Sequence, residues 1–163
     1  KKEQFLAKQD ISFLESSLER QLGWVRAAET RIALILPVST ALFGSVAAKV
    51  DLATLSFCGE GLVVGVTLCI VALSILFASV AIFPRTKGPD QSFIFFGGIA
   101  SYSKKEFVEK MESVNRNSIE KDFLEQIHIN ACIARKKFLW IQRSMVCLLI
   151  SIIPWAIPIS FLY

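Results

Sequence analysis

The chain is short of the residues that carry chemistry. It has one histidine, His128, and four cysteines, Cys58, Cys69, Cys132 and Cys147, with no C-x-x-C spacing among them. That excludes a recognisable zinc site and gives no disulfide framework. The GxxxxGK[ST] loop of nucleoside-triphosphate enzymes is absent. No Ser/His/Asp, Cys/His or paired-carboxylate set converges outside the apolar runs, and the polar part of 163 residues is small for an enzyme core. The three long apolar runs contain no charge at all, whereas a coupled transporter needs one buried there. The expectation is a protein that is not an enzyme and holds no metal and no resident cofactor.

What the chain has is apolar length. Its hydrophobic content is 53%, above the roughly 45–50% of soluble domains, and its mean hydropathy is +0.53. The run from about Ile32 to Ala48 is uncharged and just long enough to cross a bilayer at 1.5 Å per residue. Between Gly61 and Phe83 lie fourteen Leu, Ile, Val or Phe residues. At roughly −0.3 to −0.6 kcal/mol each, they favour insertion by several kcal/mol. A third run, from about Ser144 to Tyr163, is led in by Trp140 and Arg143 and interrupted by Pro154 and Pro158. Bends of that kind are tolerated in membranes, so it reads as a third crossing, with a re-entrant or surface-lying segment as the alternative. The first apolar run follows a charged segment and does not resemble a cleavable signal peptide, so these spans are expected in the mature protein.

The fold class that follows is an all-α integral membrane protein, with two transmembrane helices and a third, continuous with a cytoplasmic helical region. Residues 1–31 form an amino-terminal amphipathic helix, and 32–83 a transmembrane hairpin with spans at about 32–48 and 61–83. Residues 84–143 are a loop and helices that could sense a ligand, and 144–163 are the third span. Six Lys and Arg precede the first span, one lies between the first two, and eleven fall between Arg85 and Arg143. Positive loops stay inside, which places the amino end and the 84–143 region in the cytoplasm. The net charge of +4 raises the question of nucleic acid, but the cations sit beside apolar spans, so anionic lipid is the expected partner.

Ile11, Leu14, Leu18, Leu22 and Val25 recur at helical spacing, with Ser12 and Glu15 as a capping box near the start. Leu14, Leu18 and Val25 are read as a packing face, against another helix or another copy. In the first span Thr40, Gly44 and Ala48 form a small-residue stripe, and Gly61 and Gly65 make a lone GxxxG in the second. Both are candidate helix or oligomer contacts, although membrane helices are rich in small residues in any case. Ser103 and Glu106 cap a short helix, and Asn117 with Glu120 caps a longer one. Ile119, Phe123, Ile127, Ala131, Ala134, Phe138 and Ile141 stripe this second helix, with Lys121, Asp122, Glu125, Arg135, Lys136 and Lys137 on its other face. His128 and Asn130 near the stripe are expected to make local hydrogen bonds, contact with a ligand being the alternative.

The stretch FPRTKGPDQSFIFFGGIAS, residues 83–101, breaks the surrounding patterns. On one reading Arg85 and Lys87 fix topology and the phenylalanines lie at the lipid interface. On the other, Arg85, Lys87 and the Gly97 and Gly98 amides cradle an anion, with Phe95 or Phe96 facing a base, as a small phosphorylated ligand requires.

LGWVRAAETRIALIL leading into the first span, FPRTKGP and FIFFGGIA after the second, and EQIHINACIARKKFLWIQRS leading into the third together resemble the Pycsar membrane effectors of the PycTM type. More distantly the chain is similar to two-span SLATT effectors of bacterial anti-phage systems. The resemblance implies an effector of the bacterial inner membrane, activated by a cyclic pyrimidine mononucleotide, cCMP or cUMP, from a partner cyclase. A homo-oligomer is expected because one ligand's charge-assisted contact, roughly 1.5–3 kcal/mol, falls short of the about 5.5 kcal/mol that a full closed-to-open shift needs. Membrane impairment and abortive infection would follow. A constitutive membrane scaffold or transport subunit without a nucleotide ligand is the rival, and an intramembrane enzyme a distant third.

Overall fold

The computed structural model describes residues 11–48, 59–83, 88–89 and 92–162, and every regular element among them is helical. Helix α1 spans Ile11–Ala47, α2 Glu60–Ile82, α3 Phe96–Ala100, α4 Lys104–Ser113 and α5 Arg116–Leu162. Three of them, α1, α2 and α5, are long and apolar enough to cross a membrane. Ser12 lies inside α1, where its hydroxyl is exposed, so the Ser12–Glu15 pair does not cap the described helix. Gly59 precedes α2 at φ 66°, a conformation that favours glycine.

The chain divides into two compact units, residues 1–26 with 84–135, and residues 27–83 with 136–163. In the second unit the core is Ala28, Ile32, Ile35, Ala78, Ala81 and Ile141, flanked by Leu36, Phe138, Trp140 and Leu148. Alanines at three of these six positions let helix backbones approach closely, the usual device where lipid on the outside is as apolar as the inside. Leu34, Val38, Leu62, Leu76, Leu149 and Ile153 are exposed on the outside, as lipid-facing positions should be.

Hydroxyls in this unit take partners on their own helix or across helices. Exposed Thr40, Ser45 and Ser79 and buried Ser151 donate back to carbonyls of their own helix three or four residues earlier, and Ser45 also accepts from the Trp155 indole N–H at 3.1 Å. Ser39 of α1, Ser74 of α2 and Ser144 of α5 are fully buried and bond across helices. Ser39 Oγ and Ser74 Oγ are 3.1 Å apart, and so are Ser74 Oγ and Ser144 Oγ. Ser74 also donates to the Ser144 carbonyl at 2.9 Å, and Ser144 returns the bond to the Ser74 carbonyl at 2.8 Å. Each bond replaces water that the bilayer does not hold.

Proline in the third run has a specific remedy. Pro158 has no N–H, so the carbonyl of Pro154, four residues earlier, has no intrahelical donor. Buried Thr67 of α2 supplies one, its hydroxyl lying 3.1 Å from that oxygen and 2.7 Å from its own Val63 carbonyl. Helix α5 accordingly runs on through Pro154. Lys137, buried on the same helix, holds the Oε1 of half-exposed Glu29 at 2.6 Å, and Arg31 and Arg143 lie over the rings of Phe138 and Trp140.

Thr40, Gly44 and Ala48 are all exposed, and among the described residues a methyl added at Gly44 would meet nothing. The face of α1 that packs is Ala28, Ile32, Ile35, Ser39 and Val46, because large apolar side chains and one hydroxyl with a partner bury more than the small stripe can. On α5, Asp122 and Lys137 are buried and do not lie on a solvated face. The buried line runs Asp122, Gln126, Ala134, Lys137, Ile141, Ser144 and Ser151; it keeps Ala134 and Ile141 of the apolar stripe but takes Asp122, Gln126 and Lys137, each one position before Phe123, Ile127 and Phe138. Polar residues with a buried partner occupy its centre, and half-buried Ile119, Phe123 and Ile127 flank it. Leu18 is buried, Leu14 and Val25 are half-buried, and so are Gly61 and Gly65.

Candidate functional site

In the first unit the segment Ser92–Phe95 is tied to α5 by one carboxylate. Helix α5 starts at Arg116 because Asn115 caps it: the Asn115 side-chain oxygen accepts from the Asn117 N–H at 2.6 Å, and its carbonyl accepts from Ser118 and Ile119. This moves the cap two residues earlier than Asn117. Six residues into the helix, Asp122 turns inward and is nearly buried.

The Ser92 hydroxyl donates to both Asp122 oxygens, at 2.7 and 3.0 Å, and the Phe93 N–H donates to Oδ2 at 2.6 Å. Ser92 Oγ in turn accepts from the N–H groups of Ile94, at 3.1 Å, and Phe95, at 2.7 Å, with Gln126 Nε2 at 3.4 Å. The hydroxyl's one proton and both lone pairs are therefore engaged. A buried charge that collects donors in this way is stable where an unpaired one would not be. The knot aims the next four residues, FIFF, out of the turn and into α3.

Glycine in the FFGG segment has a packing reason. A Cβ at Gly98 would lie 2.7 Å from the Ser92 nitrogen, so the backbones could not approach with any other residue there. The Phe95 ring covers Gly88 and Gly97, so a methyl at either position would require that ring, a side chain rather than a backbone, to shift. Phe95 is half-buried, Phe96 is 65% exposed, and their ring centroids are 4.6 Å apart. Phe95, Phe96, Gly97 and Gly98 thus come together as one small structure, and Arg85 and Lys87 lie outside the described residues.

Sequence reasoning missed the groove beside this knot. An open depression of about 360 Å³ is lined by Pro89 and Phe93 on one side and by Ser118, Lys121, Asp122 and Glu125 of α5 on the other. The last four sit at i, i+3, i+4 and i+7 and so share one helix face. Lys121 and Glu125 are 3.8 Å apart across it, both substantially exposed. The spacing of these residues was available in the sequence, but nothing in it showed that a loop would lie opposite.

In the same unit, α4 has the predicted capping box. Ser103 Oγ accepts from the Glu106 N–H, and Glu106 Oε2 accepts from the Ser103 N–H at 2.9 Å. The Ser103 side chain, its backbone N–H and then Lys110 hold the Glu106 carboxyl below its ordinary value. His128 is exposed and 3.9 Å from Cys132 Sγ, and Asn130 donates to the Gln126 carbonyl four residues back, so both make local contacts.

Comparison with known proteins adds a family. The model of the Pycsar effector protein domain, PycTM, matches residues 13–163. The chain is similar to the Pycsar effector protein PtPycTM of Propioniciclava tarda, 28% identical over 135 residues. That match covers 75% of this chain and 65% of the relative, so it spans somewhat under two thirds of the relative's length. No solved structure matches the chain.

Proposed function

Because the chain belongs to the PycTM family of Pycsar effectors, a family of membrane effectors, we propose that it is an anti-phage effector of the bacterial inner membrane, opened by a cyclic pyrimidine mononucleotide. A partner cyclase would supply cCMP or cUMP on infection, and the effector would impair the membrane before phage mature. The observation that carries this reading is the family match, which runs through both units and through all three apolar helices.

The distribution of Lys and Arg supports an amino end and an 84–143 region in the cytoplasm, where the messenger is made. Arg85 and Lys87 would supply the cations a phosphate needs, and the Gly97 and Gly98 amides with Phe95 or Phe96 the rest of the cradle. Helices α1 and α5 each carry residues of both units, so a tilt or rotation in one need not cross a flexible linker. No bond is made or broken.

Energetics favour an assembly. Moving a closed-to-open equilibrium from 1:99 to 99:1 takes about 5.5 kcal/mol of differential binding. One charge-assisted contact contributes roughly 1.5–3 kcal/mol. Several copies, each with its own ligand, would close the gap, and the exposed Thr40, Gly44 and Ala48 stripe is the surface we assign to that contact.

Purified protein in dye-filled liposomes tests the reading. Leakage should appear only with cCMP or cUMP and not with cyclic dinucleotides. Leakage indifferent to every nucleotide would instead describe a scaffold or transport subunit.

A further inference from the structure

The groove between Pro89, Phe93 and the Ser118–Glu125 face of α5 has a chemistry that selects among pyrimidines, and we infer that it seats the base of the nucleotide and prefers cytosine to uracil. The inference rests on the ligand class proposed above. Its volume, about 360 Å³, is at the low end for small-molecule sites, the right scale for one base and its sugar and too small for a dinucleotide.

Charge decides which end of the ligand enters. The lining carries two carboxylates, Asp122 and Glu125, against one ammonium, Lys121. A phosphate anion is repelled by that balance, and an edge rich in hydrogen-bond donors is attracted. The phosphate therefore stays at the open mouth of the groove. The base goes inward, onto the half-buried Phe93 ring.

The two carboxylates are not equivalent. Asp122 is occupied by Ser92 and the Phe93 N–H, which hold it in place and leave it little capacity. Glu125 is nearly half exposed and makes, among the described residues, only its 3.8 Å ion pair with Lys121, too long for a hydrogen bond. It is the acceptor with open lone pairs. Cytosine offers it the 4-amino group, the pairing that carboxylates make with this base. Uracil presents a carbonyl at the same position, and its N3–H lies between two carbonyl oxygens that face the carboxylate. Uracil is thus rejected by repulsion as well as by a missing donor.

Calorimetric titration of the full chain in detergent with cCMP and with cUMP tests this, using wild type, Glu125→Gln and Phe93→Ala. Wild type should bind cCMP about tenfold or more tightly than cUMP, the scale of one base-edge contact. Glu125→Gln, whose amide can donate or accept, should bring that ratio close to one. Phe93→Ala should weaken both nucleotides alike. Equal affinities in wild type, a preference for cUMP, or an unchanged ratio in Glu125→Gln would overturn the cytosine seat while leaving the activating-nucleotide reading intact. Binding of neither nucleotide would overturn both.

Discussion

In the unit of residues 27–83 and 136–163, the helix-to-helix polar contacts at the centre are hydroxyls facing one another. In the unit of residues 1–26 and 84–135, the buried polar centre is a carboxylate, Asp122, ringed by donors from a loop. The difference follows from what surrounds each. A neutral Ser39–Ser74–Ser144 layer suits a bundle whose outer face is apolar, because a hydroxyl can satisfy itself on its own helix and loses little if a partner is removed. Asp122 has no such fallback. Its donors include the Phe93 backbone N–H and a hydroxyl that itself holds two further N–H groups, so removing it uncovers a chain of buried groups at once. The bundle tolerates one buried cation, Lys137, because Glu29 reaches it from a half-exposed position.

The comparison can be broken by measurement, and the largest effect is expected at the carboxylate. Asp122→Ala should destabilise the first unit by about 3 kcal/mol, since each hydrogen bond to a charged group is worth roughly 1.5–3. Hydrogen exchange at the amides of Phe93, Ile94 and Phe95 should then rise about a hundredfold. Asp122→Asn, which keeps the shape, should fall between. Ser74→Ala should cost about 0.6 kcal/mol, and at most about 1.7, in reversible unfolding from micelles. If Ser74→Ala proved the costlier change, the contrast between the units would be wrong.

The smallest effect is a pH dependence at α4. The Glu106 carboxyl is held below its ordinary value, so its cap contributes fully above the ordinary glutamate range. That contribution should disappear as pH falls through the lowered value, when the carboxylate that accepts from the Ser103 N–H is protonated. Exchange at the Ser103 amide should show the loss in wild type, and Glu106→Gln should flatten the profile.

Much of the architecture was legible in the residues. The uncharged run from Gly61 to Phe83 was legible as a helix long and apolar enough to cross a membrane, and the Ser103–Glu106 box marked the start of α4, because both signals are local and each residue acts on its neighbours. Faces were harder. The α5 stripe from Ile119 to Ile141 has the right period, yet the buried line runs beside it through Asp122 and Lys137. Apolarity cannot tell a side that faces a helix from one that faces lipid, and a buried charge becomes readable only when its partner is known. The site was half visible: FFGG and its aromatic neighbours stood out, but Ser92, Asp122 and the groove with Glu125 did not, being thirty residues apart in the chain.

By itself, then, the sequence determined that this is a helical membrane protein with a charged region between its second and third apolar runs, since hydropathy and helix caps are properties of short stretches. Only the tertiary structure decided which residues meet: that Thr67 serves the Pro154 carbonyl left bare by Pro158, that three serines close on one another, and that Asp122 turns inward to gather the loop. Those pairings depend on where distant backbones lie, because a hydrogen bond is short and directional and no local pattern encodes its partner.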